Sequence, residues 1–143
     1  QSGALLGGAT QTESEDLYNL GIEIGLAFPL MDDYLDALSE KAKVGKRIGG
    51  DILEKKKTYL WNSMWEKLPP ASQQAIIRSY DLDEEETIAL VKQEMESSGA
   101  KNNTLALAES YSKKALNWIE SLSVDGDKVY LQEIINLLAA RQS

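Results

Sequence analysis

Residues 14–38 read SEDLYNLGIEIGLAFPLMDDYLDAL. Leu17, Leu20, Ile24, Leu26 and Phe28, then Met31, Leu35 and Leu38, recur along it at helical spacing. Thr12 or Ser14 can cap this helix, with Glu15 and Asp16 suiting its positive end. Gly21 and Gly25, with Gly3 and Gly7 upstream, predict a small-residue face that lets a neighbouring helix come close. Pro29 removes one backbone donor, so a kink or local rearrangement is expected there.

The same period continues on both sides, and no strand-like alternation or internal repeat interrupts it. Gly3-Ala4-Leu5-Leu6-Gly7-Gly8-Ala9 reads as the interior of a packed helix without a cap. Together with Gln1 in first place, this suggests a chain that begins partway through a larger protein. Residues 41–55 are expected to form a basic, glycine-rich loop. Helices are expected from about Lys55 to just before Pro69-Pro70, over Ser72 to Tyr80, and from Asp83 to a stop at Ser97-Ser98-Gly99. Two more follow at 101–122 and 127–141, separated by a turn at Val124-Asp125-Gly126-Asp127. The expected fold is an all-α helical bundle forming a single domain over 1–143.

Composition narrows the chemistry. The chain has 143 residues and no cysteine, so disulfides and thiolate metal sites are excluded. It also has no histidine, which removes the commonest general base and most zinc sites. Any metal must therefore sit on carboxylates, which favours a hard cation such as magnesium. A net charge of −8 argues against nucleic acid or an anionic membrane as partner. No apolar run approaches the roughly 20 residues of a membrane span, so stable membrane insertion is not expected. A cytoplasmic location is compatible with the lack of cysteine.

Two constellations carry chemistry. In Asp32-Asp33-Tyr34-Leu35-Asp36, Asp32 and Asp36 share a helical face and can converge on one cation, with Asp33 about a quarter-turn aside. A divalent ion would relieve the repulsion, although a solvated acidic face explains the same residues. Downstream come Gly45-Lys46-Arg47-Ile48-Gly49-Gly50-Asp51-Ile52 and then Glu54-Lys55-Lys56-Lys57-Thr58. Glycines allow close backbone approach to a ligand, and lysines supply compact positive charge for phosphate oxygens. A carboxylate triplet followed by a Gly-Lys loop and a second lysine run suggests a metal–diphosphate site, whereas the bland alternative is a charge-balanced loop. Trp61, Trp65 and Trp118 read as core or interface anchors. Glu84 to Glu86 read as favourable charge at a helix start.

With these motifs in order, the chain resembles the trans-isoprenyl diphosphate synthases. Phe28-x-x-x-Asp32-Asp33-Tyr34-Leu35-Asp36, Gly45-Lys46-x-x-Gly49-x-Asp51-Ile52 and Lys56-Lys57-Thr58 are similar to the family's second aspartate-rich region. Ser2-Gly3-Ala4-Leu5 resembles its Lys-Thr/Ser-Gly/Ala segment. Ala108, Tyr111, Ala115 and Leu122 fit its penultimate helix, and Leu131 to Arg141 its closing one. The resemblance implies the C-terminal portion of the all-α isoprenoid synthase fold and a prenyltransferase that condenses isopentenyl diphosphate with an allylic diphosphate. It implies that Asp32, Asp33 and Asp36 bind Mg2+, that Lys46 and Lys56 contact diphosphate along with Ser2 and Gln1, and that Phe28 lies near the prenyl chain. It also implies a homodimer.

Three departures qualify that picture. Gln1 stands where the family has a diphosphate-binding lysine, and Pro29 where glutamine is common. The family's first aspartate-rich motif is not in these residues, so the chain alone is expected to be inactive in condensation. Gln1 and Pro29 favour an alternative, a catalytically silent regulatory subunit of the same family. An isoprenoid cyclase on the same fold and a helical interaction module without a ligand are further alternatives.

Overall fold

The computed structural model describes residues 1–38, 49–122 and 128–140. Within them the chain forms eight helices and no strand. They are α1 (Ser2–Leu6), α2 (Gln11–Leu38), α3 (Gly50–Leu53), α4 (Tyr59–Trp65), α5 (Pro70–Ser79), α6 (Glu84–Ser97), α7 (Ala100–Ser121) and α8 (Lys128–Ala140). The all-α expectation is met. Gly45, Lys46, Arg47, Ile48 and the turn at 124–127 lie outside the described residues.

The helix starts show which local signals prevailed. α2 is opened by Thr10 rather than Thr12 or Ser14. The Thr10 backbone N–H and hydroxyl donate to a Glu13 carboxylate oxygen at 2.8 and 2.7 Å, and the Glu13 N–H returns a bond to the Thr10 hydroxyl at 3.3 Å. This is a capping box read directly in Thr10-x-x-Glu13. The donated bonds hold the Glu13 carboxyl below its ordinary range. Ser14 is instead buried, and its hydroxyl donates to the Gln1 carbonyl at 3.3 Å. α4 starts four residues later than the sequence suggests, because the Thr58 hydroxyl accepts from the Trp61 N–H at 3.2 Å and fixes the start there. α5 begins with Pro70 in its first turn, where a missing N–H costs nothing. Asp83 caps α6 as expected, accepting from the Glu86 N–H at 2.9 Å.

α3 falls inside the stretch expected to be a loop, because its single turn is too short to show a period, and two further expectations are not met among the described residues. α1 buries no residue, and Leu6 is 91% exposed, so the opening segment is a short surface helix rather than a packed interior. The glycine face makes no close approach either: a side-chain carbon added at Gly3, Gly21 or Gly25 would meet nothing within 4 Å among the described residues. The spacing put these glycines on one face, but spacing cannot supply the second helix.

The chain divides into two compact units, residues 1–29 with 107–143 and residues 30–106. The division falls immediately after Pro29, inside α2, which remains one helix across it. In the first unit Leu20, Ala115, Ile119, Leu122 and Ile135 form the core, with Trp118 packed against it. In the second, Ile52, Leu60, Met64, Ile76, Val91 and Met95 are central, with Trp61, Trp65 and Tyr80 packed around them. All three tryptophans thus take the anchoring role expected of them.

Candidate functional site

The second unit gathers the charged motif residues. Asp32, Asp33 and Asp36 sit on the last turns of α2. Lys56 and Thr58 lie on the link from α3 to α4, and Asp51 is in the first turn of α3. Asp33, Asp51, Lys56 and Thr58 line one crevice of about 10 Å³, walled by Ala37, Ile52, Trp61 and Met95. That volume is close to the space of one water-sized body.

What brings Asp51 and Lys56 together is a pair of backbone reversals. Gly49, the residue before α3, has φ +67°, a left-handed conformation that glycine adopts without strain. After the single turn of α3, Lys55 takes φ +55°, and the Lys56 N–H donates back to the Asp51 carbonyl at 3.0 Å. The Lys56 ammonium then donates to the Asp51 carboxylate and lies 3.6 Å from Glu54. This bond, foremost among the causes, raises the lysine above its ordinary range.

Asp33 shows the opposite balance. Its carboxyl is pushed above the ordinary aspartate range, first by burial, then by the negative charges of Asp51, Asp32 and Asp36; Lys56 opposes the rise. Asp33, read from helical spacing as standing aside from Asp32 and Asp36, is therefore the member of the triplet that faces the crevice. Among the described residues no group of three carboxylates forms a ready cation site. The chemistry of the donors nevertheless fits a hard divalent cation. The carboxylates of Asp33 and Asp51 line the crevice, Asp32 and Asp36 add negative charge at Asp33, and every one of these donors is an oxygen.

A raised carboxyl in the folded chain stabilises that chain only when protonated. The contribution is complete below the unfolded value near pH 4 and is lost as pH rises through the folded value. Asp33→Asn is therefore expected to stabilise the chain at pH 7 without divalent cations, by no more than about 1 kcal/mol given screening from the open side. Thermal unfolding at pH 7 and at pH 3.5 checks this: the gain should be present at the first and absent at the second.

Gln1, Ser2 and Phe28 belong to the first unit. Ser2 opens α1 without a side-chain cap bond, Gln1 is held through its carbonyl by Ser14, and Phe28 is partly exposed beside Pro29. Lys46 is outside the described residues. Asp51 and Thr58 fall within the motifs, but sequence spacing alone assigns them no role. The signal was available in Gly49-x-Asp51 and Asp51-x-x-x-x-Lys56, yet only the two reversals turn those spacings into contacts.

Residues 1–97 match the polyprenyl synthetase family. The short chain isoprenyl diphosphate synthase of Methanothermobacter thermautotrophicus is 29% identical over 142 residues, covering 99% of this chain and 44% of that protein. The geranylgeranyl diphosphate synthase of Methanosarcina mazei is 31% identical over 140 residues, covering 98% of this chain and 42% of that protein. A crystal structure of a geranylgeranyl pyrophosphate synthase superposes with a TM-score of 0.77 at 38% identity, over 99% of this chain and 45% of that one. The chain thus spans less than half the length of these relatives, and its helices are those of an isoprenoid synthase fold. With the matching region including every helix that builds the Asp33–Asp51–Lys56 crevice, the chain belongs to the polyprenyl synthetase family.

Proposed function

We propose that this chain contributes the second aspartate-rich half-site of a prenyltransferase that joins isopentenyl diphosphate to an allylic diphosphate. The observation that carries the reading is the crevice where Asp33, Asp51 and Lys56 meet, with Asp32 and Asp36 adding negative charge to it. Asp32, Asp33 and Asp36, with Asp51 beside them, would hold Mg2+. Bound there, magnesium supplies positive charge that neutralises the diphosphate as the allylic C–O bond breaks.

The chain's own residues bind and orient around that event. Lys56, positioned by Asp51, offers its remaining N–H donors to diphosphate oxygens, and Lys46 does the same by its place in the motif. By their places in the family's motifs, Ser2 and Gln1 would contact diphosphate and Phe28 would lie near the prenyl chain. The isopentenyl double bond then attacks the allylic carbon and a proton is lost. The same reading makes the working protein a cytoplasmic homodimer. Among the described residues no helix is long and apolar enough to cross a membrane.

The test is a calorimetric titration with a non-hydrolysable allylic diphosphate analogue, with and without magnesium. Binding should require magnesium and weaken at least tenfold in Asp32→Ala and in Lys56→Ala. Binding indifferent to magnesium and to both substitutions would remove the proposal.

A further inference from the structure

Three consecutive lysines leave α3 in different directions. Lys56 turns toward Asp51, whereas Lys55 and Lys57 line a separate cavity of about 390 Å³ with Trp61, Trp65, Ile76, Ile77 and Tyr80. The volume lies within the range of about 300–1,000 Å³ usual for small-molecule sites. Its lining is mostly apolar and aromatic, with the charge confined to the two lysines.

Several features shape this cavity. Lys55 is the one residue other than glycine with positive φ among the described residues, and its ammonium lies 4.3 Å from the centre of the Tyr80 ring. A strained backbone position that aims a charged group at a cavity wall is characteristic of binding sites. The Tyr80 hydroxyl donates to the Ile52 carbonyl at 2.7 Å, which fixes the ring beneath that ammonium. Trp61 and Trp65 stack with ring centres 5.7 Å apart and planes 15° from parallel. Ile77 is half exposed at the rim, an open position for an apolar side chain on α5. Lys57 forms no ion pair among the described residues, although the chain as a whole carries a charge of −8. A cationic rim over an aromatic wall therefore stands out from an acidic molecule.

We propose that this cavity is a binding site for a small organic anion with a flat, apolar body. The body packs against Trp61, Trp65 and Ile77, and the acidic group meets Lys55 and Lys57. Lys55 is shared between the Tyr80 ring and the ligand's anion, so its strained position is used in both. The site is distinct from the Asp33 crevice, which has space for a single ion-sized body and whose lysine is held by Asp51.

The probe is 2-naphthyl phosphate, titrated by calorimetry into the chain in chelated, magnesium-free buffer so that the carboxylate site is silent. One-to-one binding is expected, with 2-naphthol and inorganic phosphate each at least tenfold weaker. Lys55→Gly removes the ammonium at a backbone position that glycine prefers, and Ile77→Asp places a negative charge at the exposed rim; both should keep full helicity by circular dichroism. Each should weaken naphthyl phosphate at least tenfold. The proposal is overturned by no binding at millimolar probe, by naphthol or phosphate binding as tightly as the ester, or by affinity unchanged in the two folded variants.

Discussion

Leu60→Ala should destabilise the chain by about 3 kcal/mol, within the roughly 2–5 kcal/mol that buried leucine truncations cost. Leu60 has no exposed surface and sits in the second unit's core with Met64, Ile76, Val91 and Met95. Alanine there loses both the transfer of a large apolar group and the packing around it, because neighbours on α5 and α6 are held by their own helices and cannot collapse fully into the gap. A net stability of about 5–15 kcal/mol leaves little room for such a loss. Leu82→Ala is the control: that residue is 78% exposed, so its removal should stay within about 0.5 kcal/mol. Urea unfolding curves for the two variants should have midpoints well apart. Near-equal midpoints would mean that α4 is not packed as described.

Gly49→Ala should cost about 2–5 kcal/mol and also weaken the carboxylate site. Two separate effects add. A residue with a Cβ pays about 1–2 kcal/mol in the left-handed conformation observed there. The new methyl would also lie 2.8 Å from the Cδ1 and Cγ1 of Ile88 and 3.0 Å from its Cγ2. Ile88 is branched at Cβ and packed against the core, so relief needs movement of the helix as well as of the side chain, typically about 1–3 kcal/mol. Gly49 precedes the single turn that presents Asp51, so any displacement moves Asp51 relative to Asp33 and Lys56. Gly50→Ala is the control that lacks both causes, since Gly50 is not left-handed and a Cβ there would meet nothing within 4 Å. Denaturation should show a large loss for the first substitution and a small one for the second. If the losses match, the reversal at Gly49 does not hold the site.

Much of this architecture was legible along the chain. Apolar residues at three-and-four spacing located every long helix, because the face a helix buries repeats with its own geometry. Asp83 and Gly99 marked ends through bonds and conformations spanning only a few residues. The opening of α2 is ambiguous along the chain because Thr10, Thr12 and Ser14 are equally good caps by residue type. Thr10 prevails because Glu13 completes the reciprocal bonds. α3 went unread since four residues are too few for a period to show.

The candidate site divides along the same line. Its acidic triplet and lysine run could be named from sequence, since DDxxD spacing and a Gly-Lys loop are local patterns. That Asp33 faces the crevice, that Asp51 holds Lys56, and that Lys55 and Lys57 line a different cavity could not be. Those outcomes depend on left-handed turns at Gly49 and Lys55 and on which residues the core brings within reach of α2. Helical period, caps and the chemical class of the ligands follow from interactions a few residues apart, so the sequence alone determined them. The pairing of charges and the shape of both cavities follow from contacts between distant segments, which exist only once the core has packed, and these the tertiary structure decided.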